Sequence, residues 1–206
     1  MRSIIYVDGF NLYYGALKAG PHRWLDLDRY FALLRMDDDV RRIWYFTAII
    51  EGPRRERQLT YLQALSSTPR VAIQYGQYKE KVVRCTVAGC GCTDLREFRV
   101  PEEKGTDVNI AVQMLDDAYQ GLADRMVLVS GDSDLVPAIR TVKRRFPDIQ
   151  VIVYVPARDP RRGAARQLRT AADKHKTLPL DLLRRAQFDL VVQTAKGSVV
   201  RPDAWA

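Results

Sequence analysis

Arg125 to Ile139 reads Arg-Met-Val-Leu-Val-Ser-Gly-Asp-Ser-Asp-Leu-Val-Pro-Ala-Ile, the grammar of a strand, a tight turn and a helix. Met126 to Val129 is a short continuous apolar run, which suits a strand buried on both faces of a parallel sheet. Gly131 allows the turn, Ser133 or Asp134 can cap the next helix, and Pro137 fits that helix's first turn. Asp132 and Asp134 then stand just past the C-terminal end of a central strand, where open α/β sheets place their ligands. Two carboxylates one residue apart beside a helix N-terminus suit a hard-cation site; helix capping is the competing explanation.

The same grammar occurs at the start of the chain. Ser3 to Val7 is a β-branched and aromatic run that ends at Asp8, followed by Gly9-Phe10-Asn11 and a helix from about Leu12. If the two strands are adjacent and parallel, Asp8 and Asp132 meet. Taken alone, Asp8 is equally a turn former, and Asn11 either caps the helix or holds a substrate or a metal-bound water.

Between these stretches the chain alternates. Asp26 to Leu34 has helical spacing in Leu27, Tyr30, Phe31 and Leu34, and Val40 to Ile50 reads as a second buried strand. A helix with Leu59, Leu62 and Leu65 follows, carrying Arg54, Arg55 and Arg57 in its first turns, where cations oppose the helix dipole. Phosphate contact and a solvated face both account for them. Val71 to Tyr78 is a third strand. Residues 79–100 read as a hairpin insertion, Lys79 to Arg84 out and Leu95 to Val100 back, with Cys85, Cys90 and Cys92 at its tip. Structural zinc usually takes four ligands. Three irregularly spaced cysteines, with His22 and His175 far off, favour reduced loop thiols over zinc.

Thr106 is a good N-cap for a helix whose apolar stripe is Val108, Ala111, Val112, Leu115, Tyr119 and Leu122. Asp107 falls in its first turn, and Asp116 lies half a turn out of phase with it. Lys104 can offer one point charge to a phosphate. Ala138 to Arg145 is a helix, and Ile149 to Val155 a fifth strand. Pro156 to Arg169 carries Arg158, Arg161, Arg162, Arg166 and Arg169, starting from the same strand edge as the acids. A short helix around Leu168, an edge strand within Lys174 to Pro179, a helix from Leu180 to Ala186 and a loose tail from Lys196 complete the chain.

The expected architecture is one doubly wound α/β domain over residues 1–178. It has a mainly parallel sheet of five to six strands with helices on both faces, and the small hairpin insertion. Residues 179–206 form a C-terminal helix and tail. The 206 residues are 47% hydrophobic, enough for a substantial core. No apolar run approaches ~18 residues, so no membrane span is expected. The N-terminus lacks a signal-peptide layout and the cysteines make a poor disulfide framework, which together point to the cytoplasm. Lys and Arg number 33 against 25 acids, a net +8 that draws polyanions, nucleic acid first.

Asp8-Gly9-Phe10-Asn11, Lys104-Gly105-Thr106-Asp107 and Ser130-Gly131-Asp132-Ser133-Asp134, in that order, resemble the motifs of the NYN domain family of the PIN-like nuclease superfamily, the LabA-like branch most closely. Leu168 and Ala172-Asp173 look like that branch's closing motif. The resemblance implies a Mg²⁺- or Mn²⁺-dependent ribonuclease in which Asp8, Asp107, Asp132 and Asp134 are the metal-binding catalytic acids. Asn11, Lys104, Ser130 and Ser133 match neighbouring polar positions. Arg161, Arg162 and Arg166 are the expected contacts to RNA, and a homo-oligomer is compatible with this reading. The alternatives are a non-cutting RNA- or protein-binding module and a metal-dependent phosphatase. The usual phosphatase arrangement needs a second Asp two residues after the first, where this chain has Phe10.

Overall fold

In the computed structural model, residues 1–87, 91, 97–157 and 166–205 are described. In chain order, β1 (Arg2–Asp8) runs into α1 (Gly9–Leu12), which continues as a π-helical turn over Tyr13–Leu17. Then come α2 (Leu27–Leu34), β2 (Asp39–Thr47), α3 (Arg55–Leu65), β3 (Val71–Tyr75), β4 (Gln77–Arg84), β5 (Glu97–Lys104) and α4 (Thr106–Tyr119). β6 (Arg125–Val129) leads through a 3-10 turn at Ser133–Leu135 to α5 (Val136–Arg145). The chain ends with β7 (Gln150–Val155), α6 (Arg166–Ala171), β8 (Lys174–Thr177), α7 (Asp181–Arg185), β9 (Val191–Thr194) and β10 (Gly197–Val200).

β1 and β6 lie side by side and parallel, Val7 opposite Val129, as the repeated strand–acid–glycine grammar requires. The sheet has six parallel strands in the order β3-β2-β1-β6-β7-β8. The order reverses between β1 and β6, and at such a switch point the loops diverge and leave a crevice. Successive side chains of β1 feed opposite faces. Ile4 and Tyr6 pack with Ile110, Met114, Ile139 and Val142 of α4 and α5. Ile5 and Val7 pack with Leu27, Phe31, Leu62 and Leu65 of α2 and α3.

Four local expectations change. First, the apolar stripe expected to bury α4 is largely in solvent: Val108, Val112, Tyr119 and Leu122 are exposed. The buried face is Ile110, Met114 and Ala118, together with Asp117. This carboxylate is tolerated in the core because three donors satisfy it: Tyr6 Oη at 2.7 Å, Gln113 Nε2 at 2.9 Å and Trp44 Nε1 at 3.2 Å. Second, the third strand stops at Tyr75. Tyr78 belongs to the hairpin, which is longer than expected and pairs Gln77 with Lys104 at its base. Gly76 makes the transition, where an added Cβ would meet Thr106 Oγ1 at 2.7 Å. Third, Thr106 is not the cap of α4 but its first residue. Gly105 precedes it at φ 90°, and the Glu103 carboxylate accepts from the Thr106 amide (3.0 Å) and hydroxyl. Fourth, the tail is not loose. β9 and β10 form a hairpin whose Val199 joins the core, and Trp205 is buried against Trp24 and Tyr61.

Candidate active site at the sheet switch point

Asp8 ends β1 and is buried. Its Oδ1 accepts from the Asn11 amide at 2.9 Å. Its Oδ2 accepts from Asn11 Nδ2 at 2.6 Å and from Ser130 Oγ at 3.0 Å. Burial raises the Asp8 pKa; these donors work the other way, and the charge of Asp132 adds to the rise. Asn11 does more than cap, since its Oδ1 also accepts from the Gly131 amide at 3.1 Å. Ser130 Oγ accepts from the Asp132 amide at 3.0 Å. Asn11 and Ser130 thus staple the ends of β1 and β6 together, and Asp8 and Asp132 cannot drift apart without losing these bonds.

Asp132, not Ser133 or Asp134, is the capping residue after β6, its Oδ1 accepting from the Asp134 amide at 2.9 Å. Capping therefore explains part of Asp132's presence. It leaves Asp134 unexplained, because no side chain caps α5, whose first turn holds Pro137. Ser133 begins the 3-10 turn. Asp107, half-buried in the first turn of α4, has its pKa pushed up to about 6. Burial is the largest cause, followed by the charges of Asp8, Asp132, Glu103 and Asp134. The other three expected acids therefore all lie within electrostatic reach of Asp107. Asp116 takes no part; it is exposed and accepts from Gln120 Nε2 at 2.7 Å.

The remaining expected site residues divide. Lys104 is exposed at the end of β5 and pairs with Glu102 at 3.0 Å, which does not leave it a free point charge. Arg166 opens α6 and is exposed, and α6 packs against the Ser133–Leu135 turn, close to Asp134. Arg161 and Arg162 lie outside the described residues. So do Cys90 and Cys92, and with them the zinc expectation at Cys85, Cys90 and Cys92. Glu103 was missed. Its sequence signal was an acid three residues before a helix-starting threonine, masked because the segment reads as a linker rather than a strand.

No three ligating side chains among the described residues close on one point. The donor chemistry nonetheless fits a hard divalent cation: four carboxylates on three segments, one of them with a pKa raised by burial and by the charges of the other three. Without a cation the field has a stability consequence. A carboxylate pKa raised in the folded state leaves the fold most stable below the unfolded value near 3.8, with loss as pH rises through about 6. Metal-free protein in EDTA should therefore melt lower at pH 7.5 than at pH 5, the Asp107 contribution being about 1 kcal/mol once solvent screening is allowed for. Asp107→Asn should remove most of the difference, and an equal difference in the variant would mean that Asp107 is not its source.

Six parallel strands flanked by helices, with carboxylates at the switch point and a separate antiparallel hairpin, make an α/β fold that is consistent with a PIN-like one. The family model of the NYN domain matches residues 2–181, and the chain belongs to the NYN domain family. This is a PIN-like nuclease family, which points to nuclease activity. The chain is 29% identical over 238 aligned positions to 6-hydroxy-3-succinoylpyridine 3-monooxygenase HspA of Pseudomonas putida, covering 100% of this chain and 75% of that protein. A crystal structure of a protein of unknown function from Vibrio parahaemolyticus shares the fold at TM-score 0.57 and 19% identity, over 87% of this chain and 94% of that one. No helix among the described residues is long and apolar enough to cross a membrane.

Proposed function

We propose that this chain is a Mg²⁺- or Mn²⁺-dependent endoribonuclease of the LabA-like branch, acting on cytoplasmic RNA through Asp8, Asp107, Asp132 and Asp134. The observation that carries this reading is the pairing of β1 with β6, which puts Asp8 and Asp132 side by side under the Asn11 and Ser130 bonds, with Asp107 of α4 and Asp134 within electrostatic reach. Bound to these oxygens, the cation would supply an acidified water and a counter-charge for the phosphoryl oxygens. The protein's own part is positional. Asn11 and Ser130 lock Asp8 to the Asp132 turn, Asp132 orders Asp134 through its amide, and the helix dipole of α4 supports Asp107 as an anion. The net charge of +8 supplies long-range attraction for the strand.

Mixed RNA incubated with purified protein in Mn²⁺, with and without EDTA, tests the proposal. Cleavage in Mn²⁺ that stops in EDTA is expected; no cleavage, or cleavage indifferent to EDTA, sinks it. The match to HspA over the whole chain favours a second reading, oxygenation of a small heteroaromatic acid. Oxygen uptake with 6-hydroxy-3-succinoylpyridine and an added reductant, in protein that leaves RNA intact, would select it.

Arg161, Arg162 and Arg166 changed together to Ala should weaken RNA binding about equally for all sequences. Each lost phosphate contact should lower the log–log salt slope by up to ~0.9. Single-turnover cleavage at saturating RNA should persist, because a uniform binding contribution leaves the chemical step alone. Unchanged affinity and slope would place the RNA elsewhere.

A further inference from the structure

A cavity of about 330 Å³ opens next to the acidic edge, on the side away from α4. Gly9, the residue after Asp8, lines it and leaves no room for a Cβ, which would meet Phe46 O and Tyr45 Cζ at 2.7 Å. The floor is aromatic: Tyr45, Tyr61 and Trp205 are all buried, from β2, α3 and the C-terminal turn. Tyr14 stands exposed at the rim with the Lys18 ammonium 4.7 Å from its ring centre.

The charges round this cavity are of one sign. Lys18, Arg23, Arg54 and Arg57 line it, and no acid does among the described residues. Arg23 donates to the carbonyls of Lys18 (2.7 Å) and Ala204 (3.3 Å), while its Nε is buried without a partner. Arg54 and Arg57 have no acidic partner among the described residues and sit at the start of α3, against its dipole. Arg23 ties the C-terminal turn to Lys18 and Lys18 rests on Tyr14, but Arg54 and Arg57 have no such structural role among the described residues. Cations at an aromatic hollow suit a ligand that supplies both a flat ring and negative charge. A volume near the small end of ligand pockets, about 300–1,000 Å³, admits one ring with its anionic group and excludes a duplex.

We infer that this cavity binds a planar aromatic anion, the ring lying among Tyr14, Tyr45, Tyr61 and Trp205 and the anionic group meeting Arg54 and Arg57. The source is either one unstacked nucleotide of a single RNA strand or a free aromatic acid, and the site's chemistry is the same for both. The inference does not depend on hydrolysis at the neighbouring acids, so it stands or falls separately from the nuclease reading.

Tryptophan fluorescence, to which Trp205 contributes from the cavity floor, gives the titration signal, with calorimetry as a check. The probes are AMP, adenosine, ribose 5-phosphate, nicotinate and a single-stranded oligo-adenylate. AMP should bind at least tenfold tighter than either of its halves. Arg54→Ala/Arg57→Ala should remove that preference, and Tyr14→Ala should weaken AMP more than ribose 5-phosphate. Both variants alter exposed or half-exposed side chains, and circular dichroism with an unchanged melting temperature confirms that they fold. An oligo-adenylate that binds tighter than AMP and displaces it assigns the source to RNA. Nicotinate binding that oligo-adenylate cannot displace assigns it to a free acid. AMP binding no tighter than adenosine and ribose 5-phosphate together with no binding of nicotinate, or AMP and nicotinate binding equal to wild type in the double arginine variant, overturns the inference.

Discussion

Asp132→Asn should lower RNA cleavage on the order of 10³-fold while the protein stays folded. A bound metal contributes several kcal/mol of charge stabilisation in the transition state, and each ~1.4 kcal/mol is a factor of ten in rate. The fold should survive because the role that Asp132 plays in it is kept: an asparagine Oδ1 still accepts from the Asp134 amide, the 2.9 Å bond that orders the turn. One of the charges pressing on Asp107 also leaves, so the melting temperature in EDTA should hold or rise slightly. Single-turnover cleavage at saturating RNA and a thermal melt in EDTA are the two measurements. Cleavage at the wild-type rate would remove Asp132 from the proposed metal site and leave it as a cap. RNA binding should not weaken in this variant, since a negative charge leaves the cleft. In that respect it should behave oppositely to the arginine variants.

Trp205→Ala should cost about 3 kcal/mol, as for other buried large-to-small changes. For a chain of this length that corresponds to a fall in melting temperature of roughly 6–12 °C. The ring centre lies 6.2 Å from that of Trp24 and 6.0 Å from that of Tyr61, and these join the tail to the core beneath α2 and α3. A shift of less than about 2 °C would show that the tail is an appendage, as its sequence suggests. Removal of the ring also opens the floor of the aromatic cavity, so AMP affinity should fall with it.

Much of this fold was legible because the parallel strands are buried on both faces and so read as plain apolar runs. Ile4 to Val7, Met126 to Val129 and Val151 to Val155 are all buried, and each was recognisable without knowledge of its neighbours. The acids were legible for a related reason. A carboxylate that directly follows a buried strand has little to do for the core, and the topology brings all such positions to one edge. α4 was misread because apolar residues occur around most of its circumference. Periodicity proposed Val108, Val112 and Tyr119, whereas packing selected Ile110, Met114 and Ala118. The chosen face also buries Asp117, which is acceptable only with Tyr6, Trp44 and Gln113 as donors, the first two on β1 and β2.

The sequence by itself determined the alternation of strands and helices, the acids at the ends of β1 and β6, and the excess of positive charge, since each is written in consecutive residues. Tertiary structure alone decided the partners. Asn11 reaches Gly131 across 120 positions, and Ser130 reaches Asp8 across 122. Arg54, Arg57 and Trp205 meet around one cavity from distant parts of the chain. Hydrogen bonds and hydrophobic burial act over a few ångströms of space, with no regard for separation along the chain. The neighbours that raise the Asp107 pKa and surround the cavity with cations exist only once the sheet has closed.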